Sequence, residues 1–156
     1  MKYVYAALAT LLVILLLGFW LLHGSSHDQI GSVSTNFRLL GPNDKVVVQR
    51  FDDPDVPNVA CYASFAQTGG VAGGAGVAED PSQFALNCVA HGPVSIPADL
   101  PNREAIGAIS ASLLFKHFIL SRLVDNQAHT LVYLMISTKV ISGSPANAVS
   151  AVPASN

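Results

Sequence analysis

Charge is scarce in this sequence. Only 12% of the 156 residues are charged, against about a quarter in an average soluble domain, and the formal net charge is −2. The basic footprint that dominates nucleic-acid binding is missing, and no nucleic-acid partner is expected. No lysine or arginine lies between Arg50 and Arg103. Cysteine is nearly absent: Cys61 and Cys88 are the only two. Without a Cys-x-x-Cys pair there is no thioredoxin-type chemistry. Cys88-Val89-Ala90-His91 has the spacing of half a metal site, but no second half accompanies it, and zinc wants four ligands or three and an open position. No metal and no cofactor is therefore expected. No Gly-Lys-Ser/Thr follows the glycines, no Gly-x-Gly-x-x-Gly is complete and no Gly-x-Ser-x-Gly occurs, which removes the phosphate-loop, dinucleotide and nucleophile-elbow readings. Internal repeats are lacking too.

What the chain does have is one long apolar run. Val4 to Leu22 is uncharged over 19 residues, and as a helix would reach roughly 28 Å, close to the ~30 Å hydrocarbon core of a bilayer. Tyr3 and Tyr5 stand at one end and Phe19 and Trp20 at the other, as in interfacial aromatic belts. Lys2 precedes the run and the next basic residue is Arg38, so the positive-inside rule keeps the N-terminus in the cytoplasm and sends the rest out. Length and aromatics favour an uncleaved signal anchor over a cleaved signal peptide, whose apolar region is shorter. Gly24-Ser25-Ser26 nevertheless supplies a plausible cleavage spacing. The expected organisation is residues 1–24 as anchor or signal peptide, 25–29 as a linker, 30–153 as one extracytoplasmic domain and 154–156 as a tail. In an exported domain an even pair of cysteines reads as a disulfide, Cys61 to Cys88.

The domain reads as mainly β: a small antiparallel β domain with one or two short helices. Val33, Thr35, Phe37 and Leu39 fall on one face of a first strand. The Gly41-Pro42-Asn43-Asp44 turn and the β-branched stretch from Lys45 to Phe51 complete a hairpin. Two prolines and three acids make Asp52 to Asn58 a loop. Val59 to Thr68 and Ala85 to Val89 are strands carrying the cysteines, joined by a flexible glycine loop. Asp80 and Pro81 suit the start of a short helix. Gly92 to Pro101 is loop-rich. Ala105 to Phe115 fits helix or strand. Phe118 to Val124 and Leu131 to Val140 read as a final hairpin, ended by Gly143-Ser144-Pro145.

Two irregular segments are candidate sites, since function tends to sit on loops held by a rigid scaffold. One is the acidic loop with Asp52, Asp53 and Asp55, whose plainer reading is a solvated turn. The other runs through Gly69, Gly70, Gly73, Gly74 and Gly76 to Glu79 and Asp80. It offers backbone N–H groups to an anion or, more plainly, is a bend where backbones pack closely. His23, His27, His91, His117 and His129 are scattered and assemble no triad.

Several stretches in order resemble the CreA family: Ile30-Gly31-Ser32-Val33, Gly41-Pro42, Phe51 to Val56, Asn58-Val59, Cys61-Tyr62, Thr68-Gly69-Gly70, Gly73-Gly74, Gly76, Ala78-Glu79-Asp80, Gly143 to Ala148 and Ser150 to Pro153. The resemblance spans residues 30–153. It implies a small exported, periplasmic protein of Gram-negative bacteria, in a family named for catabolite regulation, whose paired cysteines match Cys61 and Cys88. It assigns no chemistry. Relatives tend to carry basic residues around the glycine loop, where this chain has Gln67 and Ala72. The preferred expectation is a non-enzymatic binding domain. It meets an envelope protein or a small ligand through the two loops, and the inner membrane through residues 4–22 if uncleaved. The alternatives are a hydrolase-like enzyme using Asp52, Asp53 and Asp55, and a redox- or metal-responsive protein using Cys61, Cys88 and His91.

Overall fold

The computed structural model describes residues 28–75, 78, 83–112, 116–138 and 145–155. The apolar run and the suggested helix at Asp80 lie outside the described residues. Among those described, no helix is long and apolar enough to cross a membrane.

Eight strands form two antiparallel sheets, each a simple meander. The first holds β1 (Asp28–Asn36), β2 (Asp44–Asp52), β3 (Val59–Gln67) and β4 (Phe84–Ala90); the second holds β5 (Arg103–Ser112), β6 (Lys116–Asp125), β7 (Thr130–Ser137) and β8 (Asn147–Pro153). The only helix among the described residues is α1, Gly70–Gly74. Every pairing within a sheet joins strands adjacent in the chain, as antiparallel meanders do.

Alternation builds the core. Val47 and Phe51 of β2, Cys61, Ala63 and Phe65 of β3 and Cys88 of β4 point inward to meet Ile109, Phe118, Leu120, Leu131, Tyr133, Met135 and Val152 of the second sheet. The Phe118 ring lies 4.7 Å from that of Phe84 and 5.7 Å from that of Phe65, centroid to centroid, within the favourable range for aromatic pairs. Along one side the sheets adjoin, and the Cys88 N–H of β4 donates to the Ser150 hydroxyl of β8 at 2.9 Å.

Four expectations change. First, the initial strand ends at Asn36, so that Phe37 and Leu39 lie beyond it; Val33 is 71%, Phe37 80% and Leu39 87% exposed. Val33 pairs with Val46, on the face away from the core, while Ser32 lies opposite core-facing Val47, so β1 brings little apolar surface inward. Second, the glycine segment is not wholly a loop, since Gly70–Gly74 close a helical turn with Gly73 N–H donating to Gly69 O and Ala75 N–H to Val71 O. Third, the ambiguous stretch is strand up to Ser112, within β5, with a register shift between Ala105 and Gly107; residues 113–115 lie outside the described residues. A Cβ at Gly107 would lie 3.2 Å from the Phe51 ring, so a larger residue there would require that ring to shift. Fourth, the β6–β7 hairpin is not the last element: β8 adds to β7 and carries Val152 into the core at 2% exposure.

Candidate functional site

The acidic loop closes β2 onto β3 and is fastened from inside. Asp53 Oδ1 accepts the N–H groups of Asp55 and Val56, both at 3.0 Å, which is turn formation by an aspartate side chain. Val56 is fully buried and plugs the loop into the core. Asp53 Oδ1 also accepts from Arg122 Nη1, and its Oδ2 accepts the Tyr133 hydroxyl at 2.7 Å. Arg122 Nη2 reaches Asp55 Oδ2 at 3.0 Å and Glu104 Oε2 at 2.6 Å. Glu104, Arg122 and Tyr133 stand in one row across β5, β6 and β7, so strand register aims all three at the loop.

The Arg122 and Asp53 side chains are both completely buried. Burial is the largest influence on Arg122 and pulls its pKa down, but the Asp53 and Asp55 carboxylates outweigh it and hold the guanidinium above its ordinary range. Burial, reinforced by the bond to Asp53, pushes the Tyr133 phenol far above the usual value. Asp53 is thus a structural counter-ion, and the solvated-turn reading fails at that residue.

Two clefts of about 350 Å³ flank the loop. One is walled by Arg50, Asp52, Pro57, Asn58 and His91, with Asp53 and Val59 below. Here Arg50 and Asp52 form an exposed pair at 2.6 Å, which raises the Arg50 pKa. Asn58 takes a left-handed backbone (φ 68°), a conformation asparagine tolerates. It accepts the His91 N–H on its carbonyl at 2.8 Å and donates its side-chain amide to Pro93 O at 2.9 Å. The His91 ring stands edge-on to Tyr62, 6.5 Å between centroids. The other cleft is acidic, lined by Asp55, Asp99 and Glu104 with Pro97, Leu100 and Pro101.

The Cys61–Cys88 disulfide is present, between residues directly opposite each other on β3 and β4. It ties the strands that lead to Asn58 and His91. With its sulfur bonded to Cys61, Cys88 offers no thiolate, so the Cys-x-x-His spacing gathers no ligands. No group of histidine, cysteine and carboxylate residues suited to a metal occurs among the described residues.

The glycine segment lies elsewhere. It leaves the far end of β3, whose nine residues separate it from the acidic loop by roughly 27 Å of strand rise. The two candidate loops therefore do not form one site. Gly69 and Gly73 are needed for close approach, since a Cβ on either would strike the backbone of Pro42 and Asn43 or of Thr68. The Gly69 N–H already donates to Asp44 Oδ1 at 2.7 Å. Arg38 pairs with Asp44 at 2.8 Å, and the Arg38 and Gly69 bonds together hold that carboxyl below its usual pKa. A carboxylate of the chain itself thus occupies the donor that an anion would need. Gly76, Glu79 and Asp80 lie outside the described residues.

Arg50, Asn58, Glu104, Arg122 and Tyr133 were not expected at a site. Arg122 did leave a signal. A lone arginine in Phe118-Ile119-Leu120-Ser121-Arg122-Leu123-Val124 is buried only if paired.

The fold and site define a class: a mainly β domain of two packed meanders with one short helix, closed by a cross-strand disulfide and organised round a buried arginine. The chain belongs to the CreA family: the family model described as "CreA protein" matches residues 30–156. It is 47% identical over 130 residues to Protein CreA of Escherichia coli strain K12, covering 81% of this chain and 83% of that protein. The Protein CreA sequences of Escherichia coli O6:H1 and O157:H7 match with the same identity and coverage. No solved structure matches.

Proposed function

We propose that this CreA-family chain is an exported envelope protein whose domain is a non-enzymatic binding module, and that its site is the cleft of Arg50, Asp52, Asn58 and His91. The carrying observation is that this cleft opens beside a loop pinned to the core by the Arg122–Asp53 pair, so its walls are preorganised and a ligand need not pay to order them. The acidic-loop carboxylates each have a cation of the chain as partner: Asp52 has Arg50, and Asp53 and Asp55 share Arg122. That argues against the hydrolase-like reading, because a general base must be free to take a proton. The exposed Arg50–Asp52 pair is weak and can exchange for a polar ligand or a charged segment of an envelope protein. Export into the periplasm is supported by the apolar run behind Lys2 and by the disulfide, which persists in oxidising compartments. The same run anchors the domain at the inner membrane.

A photo-cross-linker at position 57, on the cleft rim, tests this in cells. It is expected to capture a partner in the native chain and lose it in R50A/D52N, whereas a cross-linker at Ile119 on the outer face of β6 captures none. Capture unchanged by R50A/D52N would remove the cleft from consideration.

A further inference from the structure

The cleft of Arg50 and Asp52 does not end at His91. Val47, Phe51, Cys61, Ala63 and Phe65 point into the core, so alternation turns Val48, Arg50, Tyr62 and Ser64 to the outer face of the first sheet. Register sets Asp28, Arg50, Tyr62 and Asn87 in one row across β1, β2, β3 and β4. Beyond Arg50 a smaller groove of about 220 Å³ lies on that face, lined by Val48, Tyr62, Ser64, Ala85, Leu86 and Asn87. Tyr62 joins the two, since it lines the groove while its ring stands against His91 of the cleft. Among the described residues none hydrogen-bonds the Tyr62 hydroxyl, the Asn87 side chain or the His91 ring.

We infer that cleft and groove together take a small zwitterion with an apolar body. Its ammonium sits on Asp52, its anionic group on Arg50 and its body in the groove beyond Tyr62; this rests on the reading of the cleft as the binding site. The first argument is the geometry of the pair. Arg50 Nε and Nη2 both reach the same oxygen, Asp52 Oδ1, at 2.8 and 2.6 Å. This is not the two-bond fork of a guanidinium on a carboxylate, and Asp52 Oδ2 and Arg50 Nη1 remain for a ligand. The second is charge. The pair presents both signs side by side, so a lone ion gains one attraction and meets one repulsion, whereas a zwitterion laid antiparallel gains two attractions. Asp28 stands beside Arg50 on β1 and adds to the repulsion of a lone anion. The third is the division of the lining. No charged residue lines the groove, and the charged groups all lie on the cleft side, so a matching ligand is charged at one end and apolar at the other. Such a zwitterion comes free, as an α-amino acid, or on a lipid headgroup, as in phosphatidylethanolamine. The lipid source is within reach if the apolar run is an anchor. Asp28 opens β1 beside Arg50, and only residues 23–27 separate it from that run, a connection of roughly 20 Å at full extension.

The test titrates the full chain in neutral maltoside micelles and follows the Tyr62 and Asn87 amide resonances. L-leucine carries both charges, isopentylamine only the ammonium and isocaproate only the carboxylate, all on the same isobutyl body; O-phosphoethanolamine stands for the headgroup. Leucine or O-phosphoethanolamine is expected to shift both resonances, and each singly charged probe to bind about fivefold more weakly than leucine, the loss of one exposed ion pair. R50A/D52N, at two exposed positions, is expected to abolish the shifts. Doping the micelles with phosphatidylethanolamine suppresses the response to added probe if the lipid is the source, and phosphatidylglycerol does not; a response unchanged by either lipid assigns the free source. A singly charged probe that binds as tightly as leucine and is lost in R50A/D52N overturns the zwitterion and leaves the cleft standing. No shift from leucine or from O-phosphoethanolamine overturns the inference. Shifts that persist in R50A/D52N overturn the cleft reading, and the zwitterion falls with it.

Discussion

Arg122 decides the local architecture at the scale of a residue. Removing one partner of a buried, hydrogen-bonded pair leaves the other uncompensated, at a cost of about 3–5 kcal/mol. R122M is therefore expected to lower unfolding free energy by that order, read from urea midpoints, and more than D55N, whose carboxylate is half exposed. Tyr133 gives a pH signature. Its pKa is raised in the fold, so the unfolded chain releases that proton first, near pH ~10. Its contribution to stability is complete below that pH and is lost as pH rises above it. Y133F is expected to flatten the fall in stability above pH ~10; an unchanged slope would mean that the phenol is not shielded. A lone arginine in an apolar strand is legible as a buried charge. Its partners are not, because Asp53 and Glu104 are 69 and 18 positions away and only strand register unites them.

At the scale of elements, the glycines of α1 separate two roles. G73A puts a methyl group into the Thr68 carbonyl, whereas Gly74 has only a Pro42 side chain near, at 3.4 Å. G73A is expected to cost about 1–3 kcal/mol. G74A should be neutral or stabilising by about 0.5–1 kcal/mol, since alanine outranks glycine inside a helix; thermal melts of both variants decide it. The disulfide belongs to this scale as well. Its partners are 27 positions apart, and on the chain-entropy model the link is worth about 3.5 kcal/mol. C61S/C88S is expected to lose stability of that order and to loosen the wall carrying His91, seen as faster amide exchange at Val89 and Ala90. Strands β2, β3, β4, β6 and β7 were legible as apolar stretches between turn residues, with a β-branched run only in β2. The strand β8 was not, because Asn147-Ala148-Val149-Ser150-Ala151-Val152-Pro153 is short and weakly apolar and forms against β7 by tertiary pairing. The alternation of Val33, Thr35, Phe37 and Leu39 carries the expected first strand past its end at Asn36, because the pattern continues into the turn.

Over the whole molecule the two meanders give the domain opposite ends with different tasks. One end carries the pinned acidic loop and its cleft; the other carries the turn after β1, with Phe37, Leu39 and Leu40 exposed, packed against α1. Their separation was hidden in the sequence, where both loops flank the strand of Cys61 and look like neighbours. Once β3 is laid out as an extended strand, a loop before it and a loop after it cannot meet. The intact mass of the full chain, purified gently from the cell envelope, tests the central claim most directly, taken native and then denatured and repeated for R50A/D52N. The account predicts a discrete excess of native over denatured mass in the wild-type chain, a bound ligand or partner, that disappears in the variant. An excess that survives the substitutions, or equal masses in the wild-type chain, would contradict the cleft as the binding site.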